Sequence, residues 1–500
     1  MLVDARDLST ANLAERQFDV CICGAGVAGI TLALSLRERG LSVALLEGGG
    51  IDISAESQQL YEGKNVGLDY FDLDTARLRF LGGTSNHWGG WCRPLDEHDF
   101  TAKRHHELSG WPIAKSDLDP YDERTRKILD IAVEPGSNSG HTLKNDDFNE
   151  IVFWRSGGGT PYAAKGDPTN FKTKYLKKIQ NDEGLQCLTN ASVTDVLLAD
   201  GLNHVTGVKF VNGGRETVVS AAHYIICFGG VENARFLLNC DRQIKAGIGN
   251  EKDLVGRFFC EHPHFTVGYG MLNEQNLRLD HMRFVAPTRQ FMAREETNNC
   301  GIRLIPNGFE PEARNFKLNI YRQVCMLPFA ARLAKAYDKF EKWWCDFYVH
   351  MSSEQSLNRN SRVRLSDEKD ALGQRKVVLD WRLNDLDHRT ITRSVVALGE
   401  FFAVKDLGRI RVADWLLAEE IAYPKTTEDE VGGYHHMCTT RMSDDPRTGV
   451  VDADCKVFGL DNLFIGGSSV FSTSGHANPT FSIVQLSLRL ADTIVGKFAS

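Results

Sequence analysis

FDVCICGAGVAG, residues 18–29, decides the fold: a short β-rich apolar run delivers Gly24, Gly26 and Gly29 to the start of a helix. The helical pattern runs from Ile30 to about Arg39 and Gly40 ends it, after which a second apolar run, Val43 to Leu46, delivers Glu47. In that grammar the first glycine makes the tight strand-to-helix turn. The second lets the backbone approach a pyrophosphate, and the third lets helix and strand pack closely. N–H groups at the helix start favour the phosphate charge, and the carboxylate of Glu47 is placed to accept from a ribose. Strand, glycines, helix, strand and acid in this order predict a dinucleotide site, with NAD and FAD both open. Cys21 and Cys23 alternate within the first strand and read as buried core thiols.

The same grammar recurs further along the chain. HYIICFGGVENARFLL, residues 223–238, is strand, glycine pair and helix, with Gly229 in the turn. NLFIGG, residues 462–467, ends on Gly467, and a helix follows at FSIVQLSLRLADTIV, residues 481–495. The nucleotide lobe is therefore discontinuous. Residues 76–100 carry GGTSNHWGG at 82–90, dense in glycine and aromatics, and read as a loop that approaches something flat. Helices are expected at 112–132 and 169–183. Period-two runs at 264–271 and 376–383 predict a second, largely antiparallel sheet within 262–410. Phe329 to Trp344 has helical apolar spacing and is expected to pack on that sheet.

These segments give an α/β chain, α+β overall. A Rossmann-like lobe is built from 1–115, 187–261 and 431–500, joined by a helical or loop connection, 116–186, to a substrate lobe at 262–430. Five hundred residues need at least two lobes, and a composition 42% hydrophobic and 25% charged is that of a globular enzyme. A net charge of −8 without a basic run speaks against nucleic acid, and no apolar stretch reaches the length of a membrane span. Charged residues among the first twenty leave no room for a signal peptide. The 12 cysteines include no CxxC pair, which points to reduced thiols and a cytoplasmic location.

With these pieces in view the chain resembles the glucose–methanol–choline family of FAD-dependent oxidoreductases over nearly its whole length. The likeness is carried by GAGVAG with Glu47, GGTSNHWGG, LVGRFFCEHP at 254–263, and everything after Gly432. The tail is most similar to bacterial glycoside 3-oxidases and dehydrogenases and to pyranose oxidases, which share VFG-x-x-NLF-x-GG followed by ANPT. The resemblance implies FAD, held by Gly24, Gly26, Gly29, Glu47, Gly83, Asn86, His87, Gly89, Val193, Gly229, Gly467 and Asn478. It also implies a catalytic pair. The family's histidine lies four residues before a threonine, here Thr439, which selects His435. The second position is Asn478, before Pro479. The chain departs from the pattern at Cys438, where the family usually has glycine, and in the doubled His435–His436.

The expected activity is oxidation of a secondary hydroxyl of a sugar or glycoside, at the ring 3-position, to a ketone. His435 is the base, because neutral imidazole suits that pH range, and Asn478 holds the substrate oxygen. The electron acceptor is dioxygen or a quinone. The alternatives are the same chemistry on an aminoglycoside-type primary alcohol, a sterol or choline, and a flavin-dependent lyase or redox-silent flavoprotein. FAD is expected to be non-covalent, with a bond to His87 as the alternative. Glu354, Gln355 and His436 are the expected substrate contacts. His476 is expected to be satisfied by backbone or water beside the site, and His105–His106 to be solvated. No metal is expected: His262-Pro263-His264 reads as a strand-start turn.

Overall fold

The computed structural model describes residues 1–7, 16–132, 143–157, 167–273, 283–306 and 345–499, and among them the chain builds two main sheets. The first is the nucleotide sheet. Its centre is β1 (Gln17–Cys23), followed by helix α1 (Val27–Glu38), then β2 (Val43–Leu46) and, far later, β3 (Arg215–Ile226). Both β2 and β3 lie parallel to β1. β2 is flanked in turn by the parallel strand Leu185–Thr189, and Leu463–Ile465 pairs in parallel with the end of β3. Every residue of β2 is buried, as a strand covered on both faces requires. The fingerprint glycines are fixed by packing. A Cβ on Gly24 would lie 2.5 Å from the Cys227 carbonyl oxygen, at φ +106°, and one on Gly29 would lie 1.8 Å from that of Gly24.

The second sheet has six strands, all antiparallel. Its middle four are β4 (His264–Leu272), β5 (Arg283–Pro287), β6 (Cys300–Pro306) and β7 (Phe347–Ser353), in the spatial order β4–β7–β6–β5. Gly408–Val412 closes one edge and Phe148–Val152 the other. The expected helical connection 116–186 therefore gives a strand to the substrate sheet, besides the short helix Asp122–Ile128 and the helix Phe171–Asn181. The run at 376–383 departs similarly: Arg375–Trp381 joins Arg362–Lys369 and the parallel strand Gly63–Gly67 in a separate three-stranded sheet. A 20-residue helix, α2 (Asp385–Val404), covers the substrate sheet; its N-cap Asn384 accepts from the N–H groups of Leu386 and Asp387. The expected helix Phe329–Trp344 lies outside the described residues.

The last helix, α3 (Thr480–Ala499), returns to pack along α1. Both ends of the chain thus meet on one sheet, and no helix among the described residues is long and apolar enough to cross a membrane.

Candidate active site

Between the lobes lies a cavity of about 680 Å³, within the range of small-molecule and cofactor sites. Its nucleotide end is bare backbone. A Cβ at Gly26, Gly229 or Gly467 would meet nothing within 4 Å, and all three glycines line the cavity. Gly26 is also the N-cap of α1 and brings no side-chain cap, which leaves helix N–H groups for an anion. Glu47 is buried at the end of β2. Its carboxylate accepts from the N–H groups of Ala25 and Gly49, each at 2.9 Å, so it fixes the first turn while lining the cavity. Gly83, His87, Gly89 and Val193 line the same wall. Asn86 stands behind it, donating to the carbonyls of Leu81 and Gly83. The donor set and the open glycine cradle fit FAD.

His87 is exposed, and its Nδ1 lies 3.0 Å from the Thr84 carbonyl. A carbonyl only accepts, so Nδ1 is the donor of that hydrogen bond.

His435, His436 and Asn478 all reach the cavity lining as well. His435 is placed by the segment 254–263. Bridges pair Cys260 with Met437 and Pro263 with Gly432. The fully buried Glu261 carboxylate accepts the His435 backbone N–H at 2.7 and 3.0 Å. Glu261 also accepts from the Tyr70 hydroxyl and from the His262 N–H. Burial raises the carboxyl's pKa, and those hydrogen bonds oppose the rise. His262 Nδ1 faces His435 Nδ1 at 2.9 Å. Burial, then the neighbouring imidazoles, hold His435 well below the ordinary histidine pKa. It is neutral at pH 7. A Cβ on Gly433 would lie 2.5 Å from His435 Nδ1, so the glycine before Tyr434 makes room for that ring.

His436 points elsewhere. Its Nε2 is 2.8 Å from the Tyr70 hydroxyl, and burial lowers its pKa to about 3. The departure at Cys438 is explained by its backbone: φ is +69°, the left-handed region that glycine occupies without strain. Asn478 precedes Pro479, whose carbonyl accepts from Ile483 as α3 begins.

Two expectations about side chains are corrected. Glu354 and Gln355 lie outside the cavity lining, in the core behind it. Glu354 is ion-paired to Lys103 at 2.7 Å with its side chain fully buried. Gln355 accepts from Trp381 Nε1 at 2.9 Å and from the Glu261 N–H at 3.0 Å. The polar turn in HMSSEQS comes after β7 has ended, so strand alternation no longer aims these side chains at the cavity. His106 is buried, not solvated, and accepts from the Leu357 N–H. His476, expected to be satisfied by backbone or water, is fully buried, and among the described residues neither of its ring nitrogens has a protein partner.

What the sequence reading missed is the wall that the substrate sheet gives to the cavity. Register pairs His264 with Ser352, Arg303 with His350, and Phe284 with Arg303. All five therefore lie on one face, and all five line the cavity. Among the described residues, buried atoms on that face lack any protein hydrogen bond: both His264 ring nitrogens, His350 Nε2, Ser352 Oγ and Arg303 Nε. Glu430 faces the group, 3.5 Å from His350 Nε2 and 3.9 Å from His264 Nδ1. Period-two alternation through FYVHMSS, residues 347–353, was the signal that would have found His350 and Ser352, which precede Glu354 in the same polar run.

Comparison with known proteins agrees with this architecture. A family profile described as FAD dependent oxidoreductase matches residues 19–245, and one described as GMC oxidoreductase matches residues 357–487. The chain is 23% identical to the 2-methyl-1,2-propanediol dehydrogenase of Mycolicibacterium austroafricanum, over 97% of this chain and 96% of that protein. It is 30% identical to the C-glycoside 3-oxidase of Microbacterium trichothecenolyticum, over 29% of this chain and 27% of that one. Among solved structures, pyridoxine 4-oxidase from Mesorbium loti superposes with a TM-score of 0.56 at 16% identity, covering 95% of this chain and 99% of its own. The chain belongs to the GMC oxidoreductases and is an FAD-dependent enzyme acting on alcohols.

Proposed function

We propose that this GMC oxidoreductase oxidises a secondary ring hydroxyl of a sugar or glycoside, at the 3-position, to a ketone. The carrying observation is the polar face of the substrate sheet. Each buried polar atom left without a partner costs about 1–3 kcal/mol, and His264, His350, Ser352 and Arg303 bring several to one wall. A ligand that fills this part of the cavity has to offer them hydrogen bonds. A polyhydroxylated ring does so; a sterol does not, and the Arg303 guanidinium disfavours a quaternary cation such as choline. Phe284 adds an apolar surface for the C–H face of a sugar. The choice of the 3-position follows the tail motif and the similarity to a C-glycoside 3-oxidase.

In this proposal the neutral imidazole of His435 takes the hydroxyl proton. The Asn478 amide donates to the substrate oxygen as negative charge grows on it. FAD, when bound, accepts the hydride from the same carbon. Gly26, Gly229, Gly467 and the start of α1 would hold its pyrophosphate, with Glu47 at the ribose.

Anaerobic mixing of the holoenzyme with glycosides, an amino sugar, simple alcohols, a sterol and choline tests the proposal. Glycosides are expected to bleach the flavin, with a 3-keto product by NMR, and Arg303→Met to raise the substrate concentration needed about tenfold or more. Bleaching by choline or simple alcohols and by no glycoside would overturn it.

A further inference from the structure

The environment of His435 contains a second imidazole, His262, that is fully buried and outside the cavity lining. Its Nε2 lies 3.3 Å from the Ser474 backbone carbonyl. A carbonyl oxygen only accepts, so the proton of a neutral His262 sits on Nε2 and its Nδ1 carries the lone pair. Burial keeps His262 neutral, lowering its pKa to about 3. The atom facing that lone pair, at 2.9 Å, is His435 Nδ1. Two bare nitrogens would repel each other, so His435 Nδ1 must be the donor. The lone pair of His435 is then on Nε2, which has no protein partner among the described residues.

We propose that His262 is a positioning residue that sets the tautomer of His435: it accepts from Nδ1–H and thereby reserves Nε2 for the substrate hydroxyl proton. His262 itself exchanges no proton. When Nε2 takes the hydroxyl proton, the resulting imidazolium keeps Nδ1–H on the His262 lone pair, so the positive charge develops against an acceptor already in place. The chain thus uses an imidazole where a carboxylate often orients a catalytic histidine. A neutral acceptor orients the ring without raising its basicity as a carboxylate would. The Glu261 carboxylate takes a different part, gripping the His435 backbone N–H.

This inference rests on His435 being the base, but its principal readout is independent of turnover. Long-range 1H–15N spectra of 15N-histidine-labelled holoenzyme, with His435 assigned by its loss in His435→Gln, report which ring nitrogen is protonated. The wild type is expected to show Nδ1–H with bare Nε2; an Nε2-protonated His435 overturns the proposal. Two variants add a second arm. In His262→Leu the acceptor is gone, and flavin reduction is expected to slow about 100-fold with the His435 signal no longer held in one tautomer. In His262→Asn a side-chain oxygen stands near the Nδ1 position, and the rate is expected to recover to within about fivefold of wild type. If His262→Leu fails to fold, the wild-type spectrum and the asparagine variant decide the matter. Equal rates in wild type and a folded His262→Leu overturn the inference and leave the role of His435 intact.

Discussion

Replacing Gly26 and Gly29 by alanine, one at a time, separates what the fingerprint does for the cofactor from what it does for the fold. At Gly29 the new methyl group would sit 1.8 Å from the Gly24 carbonyl oxygen, where ordinary contact begins at 3.4 Å. Helix α1 must back away from β1 to admit it, at a cost of about 3 kcal/mol or more for a packed interface. That corresponds to roughly 6–12 °C in the melting temperature of a lobe this size. At Gly26 a Cβ meets nothing within 4 Å, so the apoprotein accepts it. The entropic gain of about 0.4–1 kcal/mol from removing a glycine roughly cancels the poorer N-cap. The methyl does occupy the space through which backbone approaches a pyrophosphate. If it costs binding about 1–3 kcal/mol, as overpacking does, FAD affinity falls about 5–150-fold. Thermal melts of both apoproteins and FAD titrations followed by fluorescence provide the assay. Gly29→Ala is expected to lower the apo melting temperature, and Gly26→Ala to spare it while weakening FAD. The reverse pattern, a Gly26→Ala apoprotein that melts early yet binds FAD normally, would refute the reasoning.

Acid should destabilise the protein earlier than its carboxylates alone would suggest. His262, His436 and His106 are buried with pKa values lowered to about 3, 3 and 4 from 6.5. Between those limits the unfolded chain binds more protons, so stability falls as pH drops below 6.5, by about 1.4 kcal/mol per unit for each histidine. A melting temperature that stays flat from pH 7 to 4.5 would contradict this. If FAD is held without a bond to His87, acid precipitation of the holoenzyme leaves all yellow colour in the supernatant, and that is the expected result. Colour in the pellet that disappears in His87→Ala would establish the bond instead.

Local grammar made the nucleotide lobe legible. Gly24, Gly26, Gly29 and Glu47 serve a turn, a helix start and a strand end that lie within thirty residues of one another, and the same strand-to-glycine pattern exposed Gly229 and Gly467. The substrate lobe was less open to reading because its pairings are long-range. Phe148–Val152 looked like part of a connection until β5 supplied its partner. Glu354 drew attention as an acid in a polar run, yet Lys103, 251 residues earlier, takes its charge into the core. His264, Arg303 and His350 become a wall only through the register of β4, β6 and β7. The pairing of His262 with His435 crosses 173 positions, and no local spacing announces it.

The account turns on His435 acting as the base over the flavin. Anaerobic stopped-flow reduction of the His435→Gln holoenzyme, compared with wild type on the best glycoside, tests that most directly. Reduction slowed by about 100-fold or more, with an unchanged flavin absorption spectrum and melting temperature, is the expected result. Flavin bleaching at the wild-type rate would contradict it.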